Sequence, residues 1–253
     1  MGRFLNKHPV RHLWTFMLLT LANGGAIVFN TPHADTNPRI AYLHEWYSYY
    51  YTHQDNSEII KSINYFLASG FPASALRKKS LQGFYSQVFK QNPAQSVKWI
   101  KQSNLSRDER RPLVFALAQA NQLDNALELA RLDNWDSPDI IKLSSVQSPL
   151  DKKINAVSPD DIAWYWGAFK ASGNRIFLEK IVDTLIQVID ANSVIGDETQ
   201  RTLLQTMNYH IEHDERVKTF YAQRYKTFSK EIQGEIDILL SEHDVDDNEL
   251  DCD

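Results

Sequence analysis

From Pro38 onward, apolar residues recur along the chain at three- and four-residue intervals and almost nowhere alternate one by one, which predicts amphipathic helices and no strands. Ile40, Leu43, Tyr47, Tyr50 and Tyr51 put the aromatic run from Trp46 to Tyr51 on one face of a helix that Pro38 can open. Ile59, Ile60, Ile63, Phe66 and Leu67 predict a second, with Ser57 as its N-cap and Ser69-Gly70 as its stop. Leu76, Leu81, Phe84, Val88 and Phe89 follow Pro72 as a third stripe, and Val97, Trp99 and Ile100 follow Asn92-Pro93 as a fourth. Ser106-Arg107-Asp108-Glu109 reads as a capping box, in which hydroxyl and carboxylate each satisfy an amide of the first turn; it fixes the start of a helix bearing Leu113, Val114 and Leu117. A shorter partner runs over residues 124–131.

The period breaks between residues 132 and 157, where Pro138, Pro149 and several Ser and Asp residues predict a loop or hinge, with one short helical turn at 138–143. Ser158-Pro159-Asp160-Asp161 restarts it with an N-cap, a Pro at the first helical position and two acids at the positive end of the helix dipole. The helix carrying Ile162, Trp164, Tyr165, Trp166 and Phe169 ends at Ser172-Gly173, and a broad stripe from Ile176 to Ile189 makes a tight hairpin with it. Three further helices lie around Leu203–Ile211, Val217–Phe228 and Ile232–Leu240. The expected architecture is therefore all-α, an irregular, solenoid-like stack of helical hairpins built from about ten short helices. Its expected parts are an N-terminal helical subdomain at 35–132, the hinge at 133–157, a C-terminal helical subdomain at 158–242 and an acidic tail at 243–253 with too little to bury to order itself.

Ahead of this stack, Arg3, Lys7 and Arg11 precede an apolar run from Leu13 to Ala22, and the small residues Gly24 and Ala26 follow, the layout of a secretory signal. Residues 1–29 are expected to be a signal peptide or, uncleaved, an N-terminal anchor tethering the chain to a membrane through residues 13–29. Either version exports the domain to the periplasm or cell envelope, because the basic residues stay inside. Cleavage after Ala26 would take the formal charge from −5 to −8.

With 32 acidic against 27 basic residues and a pI near 5.9, the chain is not expected to bind nucleic acid, which requires Lys and Arg gathered on one face. The run Arg77-Lys78-Lys79 reads as a solvated helix face. Cys252 is the single cysteine, so no intrachain disulfide can form and packing must hold the fold.

The segments Gly83-Phe84-Tyr85-Ser86-Gln87-Val88-Phe89-Lys90-Gln91-Asn92-Pro93 and Trp164-Tyr165-Trp166-Gly167-Ala168-Phe169-Lys170-Ala171-Ser172-Gly173-Asn174 resemble patterns in a loose set of uncharacterised, exported, all-helical bacterial proteins. Residues 116–130 resemble in their Ala-rich texture a tetratricopeptide-type hairpin, without that repeat's Gly-Tyr and Pro signatures. The resemblance spans about residues 40–190 and implies the fold and an exported location, with no activity attached.

Candidate chemistry is sparse. His210-Ile211-Glu212-His213 spaces two imidazoles for one helical face but indicates no third metal ligand, and His44-Glu45 beside the aromatic run could contribute to a pocket or simply pack. Asp244-x-Asp246-x-Asn248 mimics the opening of a calcium loop but has Glu249 where the turn glycine belongs. No nucleophile elbow or phosphate-cradling Gly loop occurs, and no cofactor and no metal site is expected. The leading expectation is a noncatalytic helical scaffold that binds a protein or peptide, with Trp46, Tyr50, Trp164 and Trp166 as its partner-binding surface. The alternatives are an envelope enzyme whose site assembles from distant acids and histidines, among them His44, Glu45 and His210, and a membrane-anchored assembly factor.

Overall fold

Local sequence signals set most of the helix boundaries in the computed structural model, which describes residues 38–68, 74–189 and 196–242. The expected leader or anchor at 1–29 and the acidic tail at 243–253 lie outside the described residues, as do the proposed stop at Ser69-Gly70 and the start at Pro72. Twelve α-helices and three short 3-10 turns make up the described residues, with no strand among them. The chain is thus all-α, as the hydrophobic period implies.

Helix α1 spans Pro38–His53, and α2 spans Ile59–Leu67. Ser57 is not the cap of α2: the Asp55 carboxylate accepts from the Ser57 amide and winds Asn56–Glu58 into a 3-10 turn, so the α-helix begins later. Helix α3 (Ala75–Gln91) is capped by Ser74, whose hydroxyl accepts from the Arg77 amide, and α4 (Pro93–Gln102) starts at the expected Pro. The capping box at Ser106 forms, with Glu109 accepting from the Ser106 amide at 2.7 Å, and opens α5 (Arg107–Gln119). Helix α6 (Leu123–Leu132) returns along it. Between residues 133 and 157 the structure has a complete short helix, α7 (Ser137–Ser144), capped by Asp136, followed by two 3-10 turns at Pro149–Asp151 and Ile154–Ala156.

A second capping box at Ser158 opens α8 (Pro159–Ser172), and Gly173 ends it at φ +63°. There the N3 carboxylate, Asp161, is buried and accepts from the Ser158 amide at 2.9 Å and from Lys152 Nζ at 2.7 Å, so one acid closes the cap and ties down the preceding turn. Helices α9 (Arg175–Ile189), α10 (Asp197–His213), α11 (Glu215–Tyr225) and α12 (Lys230–Glu242) complete the stack.

Every residue of α8 from Asp161 to Phe169 is buried, so α8 has no solvent face and must be surrounded. Helix α3 is its main neighbour. The two run antiparallel at backbone distance: a Cβ added to Gly83 would lie 2.2 Å from the Trp164 carbonyl oxygen, and one added to Gly167 would lie 1.8 Å from the Ser80 carbonyl oxygen. Only glycine permits that approach, and each helix supplies one. The buried side chains form two clusters. One runs from Leu43 through Leu143 and includes Ala171; the other runs from Val157 to Ile236 and includes Tyr51. The α3–α8 crossing and the aromatic face of α1 bridge them. Phe84 of α3 sits 4.6 to 5.6 Å, ring to ring, from Tyr47, Tyr50 and Trp46, whereas Tyr51 packs on Phe169 at 5.3 Å. Gln119, the last residue of α5, accepts from Trp164 Nε1 at 2.8 Å and from Gln82 Nε2 at 2.9 Å, joining three helices through one half-buried oxygen.

Glycine inside an exposed helix costs about 1 kcal/mol against alanine. At Gly83 and Gly167 the sign reverses, because the added methyl meets backbone that cannot step aside without parting the helices. Gly83→Ala and Gly167→Ala are each expected to lower unfolding stability by about 1–3 kcal/mol or more. Gly234 of α12, which has nothing within 4 Å of an added Cβ, is the control: Gly234→Ala should raise stability by about 0.5–1 kcal/mol. Chemical denaturation of the three variants checks both signs, and a stabilising Gly83→Ala would refute the close crossing.

Candidate functional site

The four aromatic residues expected to form a partner-binding surface are core residues. Trp46 is 8% exposed, Tyr50 2%, Trp164 2% and Trp166 3%. Their spacing does place them on helix faces, but those faces are covered: Trp46 and Tyr50 by Phe84, and Trp164 by Phe177 at 5.7 Å. The correction follows from α8 being enclosed all round and α1 lying against α3. Trp166 is the exception in one respect, since it also lines a cavity.

That cavity, about 110 Å³, lies among five helices. Helix α1 contributes His44, Tyr47 and Ser48, α2 contributes Phe66, and α3 contributes Leu76, Arg77, Ser80 and Leu81; Ala163, Trp166 and Lys170 come from α8, and Thr202, Gln205, Thr206, Tyr209 and His210 from α10. Helical spacing explains each set. Arg77 and Leu81 are four apart, Trp166 and Lys170 four apart, and Thr202, Gln205, Thr206, Tyr209 and His210 follow the three-four rhythm of one face. Ser80 has two roles: its carbonyl receives Gly167, and its hydroxyl is hydrogen-bonded to Tyr47 at 2.8 Å on the cavity wall.

The Arg77 guanidinium lies 5.8 Å from the Phe66 ring centre and the Lys170 ammonium 5.0 Å from that of Tyr47, so aromatic faces hold both cations at the cavity. No Asp or Glu is among the described residues that line it. His210 is sandwiched by aromatics, with its ring centre 4.0 Å from that of Trp166 and 5.2 Å from that of Tyr209. Burial holds its imidazole well below the usual histidine range, and the positive charges of Lys170 and His213 push it further the same way. His210 is therefore a neutral hydrogen-bonding group at neutral pH. His44 sits on the opposite wall, edge-on to Phe66 at 5.3 Å and with Nε2 3.4 Å from the Tyr65 hydroxyl.

The histidines named from sequence thus meet in part. His44 and His210, far apart in the chain, line one cavity, whereas Glu45 is exposed and lies outside it. His213 turns instead to Tyr209, stacking at 4.4 Å and bonding its carbonyl through Nδ1 at 2.8 Å. No group of three or more metal-ligating side chains occurs among the described residues, and no helix among them is long and apolar enough to cross a membrane. Sequence reasoning missed Arg77 and Lys170. Arg77 was hidden in a basic run whose members diverge: Lys78 is exposed, Lys79 pairs with Asp160 at 3.4 Å, and Arg77 alone shares the face of Leu81.

Because His210 binds its proton less readily when folded than when unfolded, the unfolded chain takes up more protons as pH falls through the ordinary histidine range near 6.5. The stabilisation that this neutral imidazole provides is fully present above that range and is lost below it. Thermal unfolding from pH 7.5 to 5 should show Tm falling with pH, and His210→Gln should flatten the slope. An unchanged slope in that variant would contradict the assignment.

No protein-family model, curated protein or solved structure matches this chain.

Proposed function

We propose that the chain is a noncatalytic, helical binding domain of the cell envelope or periplasm whose ligand occupies the cavity among α1, α2, α3, α8 and α10. The observation that carries this reading is the convergence of polar groups from four helices, with Phe66 from a fifth, on one partly apolar hollow, which a domain needing only a core has no reason to keep. Binding is favoured over acid–base catalysis because the described residues that line the cavity include no Asp or Glu to serve as an acid or base partner of His210. The exported location is supported by the basic-then-apolar order of residues 1–29.

Ala163→Phe places a ring where the cavity now has a methyl group. A fragment screen by amide-resolved NMR on the wild type should give hits that shift residues of the cavity wall, and Ala163→Phe should abolish them while keeping the helical spectrum. Hits that map elsewhere, or that survive the substitution, would remove the basis for this assignment.

A second reading, a scaffold that binds a protein partner, is favoured by Leu132 and Ile141, 62% and 68% exposed on the consecutive helices α6 and α7. In that case Leu132→Asp with Ile141→Asp would abolish partner recovery from envelope extracts and leave fragment binding intact.

A further inference from the structure

We infer that the cavity takes a small uncharged molecule of one ring bearing a hydroxyl group, the hydroxyl met by Thr202, Gln205 and His210 of α10 and the ring laid on Leu81, Ala163 and Trp166 of the α3–α8 pair. This deepens the reading of the cavity as the binding site and rests on it.

The inward face of α10 is the first argument. A helix face turned to a core is ordinarily apolar, yet Thr202, Gln205 and His210 all line the cavity. None of the three side chains has a hydrogen-bond partner among the described residues. Thr184 and Thr206 return their hydroxyls to the carbonyls of Lys180 and Thr202, each at 2.7 Å, as threonines inside helices commonly do. The Thr202 hydroxyl makes no such bond, although the residue is only 7% exposed. Buried polar groups are rarely left so, and three on one cavity wall point to a ligand that satisfies them.

The second argument is the chemistry those groups share. A threonine hydroxyl, a glutamine amide and a neutral imidazole can each donate and accept, and a ligand hydroxyl does both through a single atom. A charged end group suits the wall less, because a buried charge requires a partner of opposite sign. No Asp or Glu is among the described lining residues to pair with an ammonium. Arg77 and Lys170 are engaged already, on Phe66 and Tyr47 and in further contacts, so an anion would compete with what holds them.

Size and the opposite wall give the third. Leu81, Ala163 and Trp166 present apolar surface from the two helices locked together at Gly83 and Gly167. An apolar cavity of about 150 Å³ holds benzene, and about 110 Å³ is of the same order, enough for one small ring and too little for a nucleotide or a folded peptide.

Phenol and toluene have the same shape and differ in the hydroxyl, which phenol keeps protonated near neutral pH. Toluene leaves water more readily, so a preference for phenol has to come from hydrogen bonds inside the site. Titrated into the full chain and followed by NMR shifts of cavity-wall amides, phenol should bind about five-fold more tightly than toluene, and more tightly than benzoate or benzylammonium. Thr202→Val and Gln205→Leu should each weaken phenol about three- to ten-fold without weakening toluene. Toluene matching phenol at the cavity, or phenol indifferent to both substitutions, would overturn the hydroxyl assignment and leave the cavity reading standing. Benzoate or benzylammonium binding there more tightly than phenol would overturn the requirement for an uncharged ligand. Should none of the four compounds perturb the cavity, and the fragment screen also find nothing there, both readings fail together.

Discussion

The backbone contact between α3 and α8 is the constraint on which the rest of the molecule depends. Two helices normally pack with axes 8–10 Å apart because side chains stand between them. Here Gly83 faces the Trp164 carbonyl and Gly167 faces the Ser80 carbonyl, so the helices meet main chain to main chain. Two consequences follow. The large side chains next to those glycines, Phe84 on one helix and Trp164 and Trp166 on the other, are driven sideways into the flanking layers, where they meet α1, α5, α9 and α10. And α8, with no face left for solvent, becomes the axis of the stack.

The polar fittings of the fold secure that axis. Gln119 ties α5 to the two central helices, the Ser158–Asp161 box with Lys152 pins the entry to α8, and Tyr51, against Gly173 and beneath Arg216 at 4.6 Å, brings its hydroxyl within 3.3 Å of Asp214 where α11 begins. The Gln119 and Tyr51 contacts join segments distant in sequence around α8, and the Ser158 box ties α8 to the turn just before it. A buried network of this kind contributes through complete satisfaction of its members more than through any single bond.

The cavity is a by-product of the same crossing. It is bounded by α3 and α8 together with α1, α2 and α10, and the described residues facing it include cationic, hydroxylic and aromatic side chains. The buried neutral imidazole of His210 and the indole of Trp166, whose Nε1 has no hydrogen-bond partner among the described residues, belong to that wall.

Helix identity, most helix starts and the all-α class follow from local information: caps at Ser106 and Ser158, prolines at Pro38, Pro93 and Pro159, the αL glycine at Gly173 and the three-four apolar rhythm act within one or two turns. The small error at Ser57 is likewise local, since Asp55 accepts from the Ser57 amide and starts the turn two residues earlier. Which apolar face is covered, and by what, is not local. Trp46, Tyr50, Trp164 and Trp166 look the same in sequence whether they line a groove or a core, and only the enclosure of α8 and the packing of α1 on Phe84 make them core. The signal that could have located the axis was present in Gly83 and Gly167, glycines inside helical stripes with no cap to serve. The meeting of Arg77, Lys170, His44 and His210 had no such signal, because helix faces far apart in the chain converge only after packing selects their neighbours. Sequence by itself determined the helices and their ends through interactions a few residues long; tertiary structure alone decided burial, the central pair and the lining of the cavity, because those depend on distances between segments that no local periodicity encodes.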